Sequence, residues 1–255
     1  MMNLFDTHAH LMDEAYDEDR EQAQKEAAEE LALVINIGCD VPTSVAALDL
    51  ANKYENFYAG VGIHPEEALK FNPDSLKEIA ELAKNPKNVA IGEVGLDYHW
   101  DVPKSVQKEA FEAQIALARE LKLPLIIHDR EAHRDTLDML SACKAAEVGG
   151  VMHAYSGSAE MVREVLDLNF YVAFGGVLTF KNARKTVEAA EKVPLDRLLI
   201  ETDCPYMTPI PFRGKRNHPK YVRFVAEKLA EVKGVSAEEI AEITYQNGKK
   251  LFHID

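Results

Sequence analysis

The sequence predicts an α/β fold, a (β/α)8 barrel of the TIM type with extra C-terminal helices, and three observations carry the prediction. Short apolar runs alternate with longer, charged, helix-patterned stretches. There are eight such runs. A chain of 255 residues with 47% apolar composition can bury one large core, and α/β barrels close at this length. Strict alternation calls for parallel βαβ units, and eight of them close a barrel; a doubly wound open sheet is the competing arrangement. No low-complexity segment, tandem repeat or linker interrupts the pattern, so residues 1–255 are expected to form one domain.

In order, "LFDTH" is the first strand and 16–30 the first helix, followed by "LALVINIG" and 41–54. Next come "FYAGVGI" with 73–85, "VAIGEVG" with 105–121 and "PLIIH" with 131–145. "GGVMHA" with 159–168, "FYVAFGG" with 182–192 and "RLLIETD" complete the eight, and trailing helices are expected over 219–251. The helical stretches are rich in Ala, Glu, Lys and Leu, which lose little rotamer freedom in a helix.

Composition narrows the function. The formal net charge of −14 argues against a protein that coats long nucleic-acid duplexes, so a nucleic-acid substrate would be met locally, through a few cations and bound metals. The chain has no apolar run long enough to span a bilayer and no basic-flanked leader, which predicts a cytoplasmic protein without membrane contact. Cys39, Cys143 and Cys204 lack CxxC spacing and are read as small buried hydrophobes.

A barrel places its chemistry at the C-terminal ends of its strands. At or just past those ends stand His8 and His10, His64, Glu93, His128, His153 and Asp203; five of the nine histidines fall in this set. His8 and His10 share a side of an extended strand because side chains alternate with a period of two. Imidazole and carboxylate without thiolate suit Zn²⁺, Mn²⁺ or Mg²⁺. Six ligands, His8, His10, Glu93, His128, His153 and Asp203, exceed the three protein ligands usual for one catalytic zinc and predict two divalent ions. The expected arrangement gives His8, His10, Glu93 and Asp203 to one ion and Glu93, His128 and His153 to the other, with Glu93 bridging. Such a pair, roughly 4 Å apart, polarises a phosphoryl oxygen, generates hydroxide and steadies the leaving oxygen.

Asp203 is the expected proton acceptor for the attacking water. Glu201 faces the same side and is assigned either to that water or to holding a ligand. His64 is expected to bind phosphate or protonate the leaving group. Between Cys204 and Ala226 no acidic residue occurs, whereas Arg213, Lys215 and Arg216 do; this basic strip is expected to overhang the centre and clamp a phosphate. Arg130 and Tyr155 complete the substrate-binding candidates. Tyr98 and Trp100, after the fourth strand, are placed to stack a terminal base.

These residues resemble the TatD family of metal-dependent hydrolases within the amidohydrolase superfamily. The blocks "DTHAHL", "GIHPEE", "IGEVGLDYHW", "QKEAFEAQIALARELKLPLIIHDREAH", "HAYSGS", "FGGVLTFKNA" and "IETDCPYMTPIPFRGKRNHP" follow that family's order along nearly the whole chain. The resemblance implies a (β/α)8 barrel, a divalent metal centre on the positions above, and phosphodiester hydrolysis of the DNase type, 3'-5' exonuclease-like, on single-stranded or frayed ends. It equally admits another phosphate ester, and an aminoacyl-tRNA deacylase on the same centre. Four positions depart from the usual family residues: Ala154 and Tyr155 replace Cys and Phe, Asp129 replaces Ser, and His218 replaces Glu.

The rivals are separable by sequence. A dinucleotide enzyme would need a third glycine at fixed spacing, which is absent. A one-metal deaminase has no use for Glu93, and a cyclic amidase with a carbamylated lysine would carry Lys there. A non-catalytic scaffold would not keep all six ligand positions filled. No obligate protein partner is expected.

Overall fold

Parallel pairing runs unbroken from the first strand to the eighth in sequence order. The computed structural model describes residues 2–255, with Met1 outside the described residues. The strands are β1 (Phe5–Ala9), β2 (Leu33–Ile37), β3 (Phe57–Val61), β4 (Asn88–Asp97), β5 (Leu125–Arg130), β6 (Gly150–Met152), β7 (Phe170–Phe174) and β8 (Leu198–Ile200). The helices are α1 (Arg20–Glu30), α2 (Val41–Lys53), α3 (Pro73–Leu82), α4 (Lys104–Leu121), α5 (His133–Ala142), α6 (Val162–Asp167), α7 (Arg184–Lys192), α8 (Val222–Lys233) and α9 (Ala237–Phe252). Helices cover the outside of the sheet, which is why the strands read as nearly continuous apolar runs.

Closure decides between the barrel and the open sheet. Ala9 bridges Cys204 in parallel, and the Asp203 amide donates to the His8 carbonyl at 2.9 Å. The buried Asp6 carboxylate accepts from the Thr202 amide at 2.8 Å and its hydroxyl at 2.5 Å. The seam between β8 and β1 is thus sewn by backbone and side chain together, and the protein is a (β/α)8 barrel.

Local signals set the element limits. Asp40 and Thr43 form a capping box at α2, Asn72 and Ser75 do so at α3, and proline sits in the first turn of both. The first helix starts at Arg20, later than expected, because a 3-10 turn at Glu14–Tyr16 capped by Asp13 precedes it. The trailing helices expected over 219–251 are two. Gly234, at φ +68°, ends α8 in the left-handed region that glycine enters without steric cost, and Ser236 with Glu239 then starts α9.

Two apolar clusters follow from strand alternation. The larger lies between barrel and helices; the smaller gathers Ile35, Ile37, Ile126, Val151, Ala173 and Leu199 with Leu251, Phe252 and Ile254 of the chain end. The C-terminal part of α9 therefore plugs one mouth of the barrel. The polar residues collect at the other mouth. Among the described residues, no helix is long and apolar enough to cross a membrane.

Candidate metal centre

The centre starts at β1, where alternation turns His8 and His10 the same way and brings their Nε2 atoms to 3.1 Å. His10 Nδ1 lies 2.8 Å from the Ile37 carbonyl, which can only accept, so the proton sits on Nδ1 and the Nε2 lone pair faces the centre. Asp203 Oδ1 is 3.4 Å from His10 Nε2 and 3.8 Å from His8 Nε2. Its backbone takes φ +55°, a left-handed conformation that Asp tolerates better than most residues.

Glu93 does not stand at a strand end as expected; it lies in the middle of β4, which continues to Asp97 through its pairing with β5. Val94 and Leu96 pack outward against the helices, so Glu93, Gly95 and Asp97 face into the barrel. The two oxygens of Glu93 divide the surrounding rings. Oε2 is 3.2 Å from His8 Nε2 and 4.0 Å from His10 Nε2. Oε1 is 2.7 Å from His128 Nδ1, 3.6 Å from His64 Nε2 and 3.6 Å from His153 Nε2.

Behind this ring stand carboxylates that aim the imidazoles. His128 Nε2 lies 2.8 Å from Asp97 Oδ2, which commits that nitrogen as donor and leaves Nδ1 toward Glu93. Glu201 Oε1 lies 2.9 Å from His153 Nδ1, at an angle too bent for a linear hydrogen bond, and accepts from the Ala154 amide at 2.7 Å. Of the two roles expected of Glu201, the geometry favours positioning His153. His64 Nδ1 accepts from the Glu66 amide at 3.1 Å, so the neutral ring carries its proton on Nε2, directed at Glu93.

Electrostatics fit a dication. Burial alone would raise the Glu93 pKa, but His153, His8 and His64 hold it well below the usual carboxylate range. Burial also pushes Asp203 up, and His153, His10 and His8 prevail, keeping it ionised. Burial opposes charge on His128, yet Asp97 and Glu93 lift its pKa to about 10. Buried carboxylates here demand positive charge. Donor atoms of His8, His10 and Asp203 lie within 4.8 Å of one another, as do those of His64, Glu93 and His128. Converging imidazole nitrogens and carboxylate oxygens, all largely buried, suit a divalent metal ion.

The centre opens into a cavity of about 840 Å³ lined by His10, His64, Glu93, His128, His153 and Asp203, with Arg130, Tyr155, Trp100 and Tyr206 farther out. Of the expected substrate residues, Arg130 and Tyr155 reach this cavity, and Trp100, half exposed, stands 6.0 Å from the Arg130 guanidinium. The basic strip does not. Arg213 stacks on Phe180, Lys215 sits over Phe212, and Arg216 covers Tyr16 while making two 2.6 Å bonds to Asp19. None of the three lines the cavity; Tyr206 and Met207 of the same loop do. Tyr98 also turns away, donating its hydroxyl to Asp135 at 2.6 Å with Lys104 over its ring.

The structure adds residues that the sequence reading passed over. Asp97 was legible in principle, because "EVGLD" places it two strand periods after Glu93. Cys39 lines the cavity rather than the core, contrary to expectation. The family departures are locally accommodated: His218 caps a 3-10 turn by accepting from the Lys220 amide at 3.2 Å, and Asp129 binds His133 Nδ1 at 2.8 Å.

The chain is similar to known proteins over nearly its whole length. A family described as TatD related DNase matches residues 5–253. The chain is 52% identical over 254 residues to the uncharacterized metal-dependent hydrolase YabD of Bacillus subtilis, covering 99% of this chain and 100% of that protein. It is 39% identical over 259 residues to the uncharacterized metal-dependent hydrolase YcfH of Escherichia coli K12, covering 100% and 97%. The crystal structure of YJJV, a TatD homolog from Escherichia coli K12, superposes with a TM-score of 0.93 at 31% identity, covering 100% and 99%.

Proposed function

The chain belongs to the TatD-related family of metal-dependent hydrolases, and from that premise we propose that it hydrolyses phosphodiester bonds at single-stranded or frayed DNA ends, in the cytoplasm, with two divalent ions. The observation that carries the metal chemistry is the division of Glu93, one oxygen toward His8 and His10, the other toward His128 and His153. His8, His10, Glu93 and Asp203 would hold one ion, and Glu93, His128 and His153 the other. When bound, the ions supply Lewis acidity toward a phosphoryl oxygen and toward water.

The protein's own groups do the rest. Asp203, ionised and 3.4 Å from His10, accepts the proton of the attacking water. His64, with Nε2–H facing the cavity, donates to the departing oxygen. Asp97 and Glu201 keep His128 and His153 in register. Arg130 is the guanidinium among the cavity-lining side chains and receives a phosphate, while Trp100 stacks against a terminal base. Asp13, Glu66, Glu67 and Asp129 also line the cavity. With a net charge of −14, they favour a short end over a long polyanion.

The test is metal reconstitution followed by turnover of labelled single-stranded DNA, a generic phosphodiester, an aminoacyl ester and a cyclic amide. DNA cleavage is expected to lead, and Glu93→Ala to lower it by about 10³-fold or more with loss of bound metal. Cleavage of the amide or the acyl ester alone would move the protein to another reaction, and an undiminished rate in Glu93→Ala would remove Glu93 from the centre.

A further inference from the structure

The cavity holds one metal-binding side chain that the reaction above does not use. Cys39 follows β2, lines the cavity, and offers its sulfur within 4.8 Å of donor atoms of both His10 and Glu93, all three lying within that distance of one another. The sulfur is held there by the backbone: the Cys39 amide donates to Thr43 Oγ1 at 2.9 Å, and its carbonyl accepts from the His64 amide at 2.8 Å. The same Thr43 closes the capping box of α2, so the turn carrying the thiol is fixed at both ends. Cys204, by contrast, is fully buried and bears no sulfur toward the ligand groups, and Cys143 lies beyond α5.

We propose that Cys39 is a further ligand of the ion held by His8, His10, Glu93 and Asp203, adding a thiolate to a nitrogen-and-oxygen site and biasing it toward a thiophilic dication. The proposal rests on the metal-centre reading above. Sulfur is a soft donor that favours Zn²⁺ and Co²⁺ and disfavours Mg²⁺. Binding would release the thiol proton to solvent, since the thiolate is the ligand form. The expected consequence is a centre that discriminates against Mg²⁺ more strongly than His and carboxylate ligands alone would do.

Cobalt makes the claim visible without reference to turnover. The metal-free protein is titrated with Co²⁺ in three forms: wild type, Cys39→Ser and Cys39→Ala. Visible ligand-field bands report ion binding by any ligand set, and a near-ultraviolet sulfur-to-cobalt charge-transfer band reports thiolate ligation. The wild type should show both, and the two variants should keep the visible bands and lose the charge-transfer band. Their preference for Zn²⁺ over Mg²⁺ should fall by about tenfold or more. In a Cys143→Ser background, Zn²⁺ should also slow alkylation of Cys39 by about tenfold or more, a readout that needs no substitution at position 39. Visible bands without a charge-transfer band in the wild type would overturn the proposal while leaving the metal centre standing. Failure to bind Co²⁺ at all would overturn both.

Discussion

Asp97 touches only His128 in the centre, at 2.8 Å, yet that contact decides which imidazole nitrogen faces Glu93. A carboxylate of this kind usually contributes 10–100-fold to metal affinity or activity. Asp97→Asn is expected to weaken the second ion by about that factor, as measured by calorimetric titration, while leaving the first ion's affinity within about twofold. Equal weakening of both ions would assign Asp97 a general structural role. His218 gives a separate prediction at this scale. Burial, together with Lys220, pushes its pKa down to about 4 against an unfolded value of 6.5. The folded protein thus keeps this ring neutral where the unfolded chain protonates it. Stability should therefore fall as pH drops below 6.5, with the full loss, roughly 3 kcal/mol, reached below pH 4. Urea unfolding of His218→Asn, which retains a capping acceptor, should lack that component between pH 7 and 4.

At the scale of elements, β4 and β5 carry Glu93, Asp97 and His128, and their approach depends on Gly95. A Cβ there would fall 1.9 Å from the His128 carbonyl oxygen, and the backbone sits at φ +151°. Gly95→Ala is expected to cost about 3 kcal/mol and to lower the melting midpoint by roughly 10 °C, because β5 must shift. Gly214→Ala, at φ +83° with no atom within 4 Å, is the control and should cost about 1 kcal/mol. The same pair of strands shows what a sequence makes legible. Periods of two and the rule that barrels work at their strand ends picked out six side chains that the structure gathers at one mouth of the barrel. They misplaced Glu93 within its strand, because the register shift between Ile91 and Val94 leaves no mark in composition. The basic strip misled for another reason: the partner that holds Arg216 is Asp19, far away in the chain and brought near only by closure of the barrel. Cys39 was assigned to the core because cysteines are usually buried, whereas the turn into α2 decides where its sulfur points.

The whole molecule separates stability from chemistry along the barrel axis. The metal centre opens at one mouth, and the other is closed by α9, whose Phe252 is 2% exposed and stands 6.2 Å, ring to ring, from Phe5. Gly248 lets the helix lie against the same ring, since a Cβ there would meet Phe5 at 2.5 Å. The two ends are joined through strands whose positions are fixed by parallel pairing around the circle. Removing the plug should then loosen the scaffold without disturbing the ligands. Phe252→Ala is expected to cost about 3–5 kcal/mol, the usual range for emptying a buried aromatic site. Denaturant titration measures that loss, and metal stoichiometry with turnover at a temperature where the variant remains folded measures the other half. Both should match the wild type within about twofold, because no ligand or orienting carboxylate touches Phe252. A folded Phe252→Ala variant that binds fewer ions would show instead that the closed mouth sets the geometry of the open one, and that the barrel behaves as a single mechanical unit.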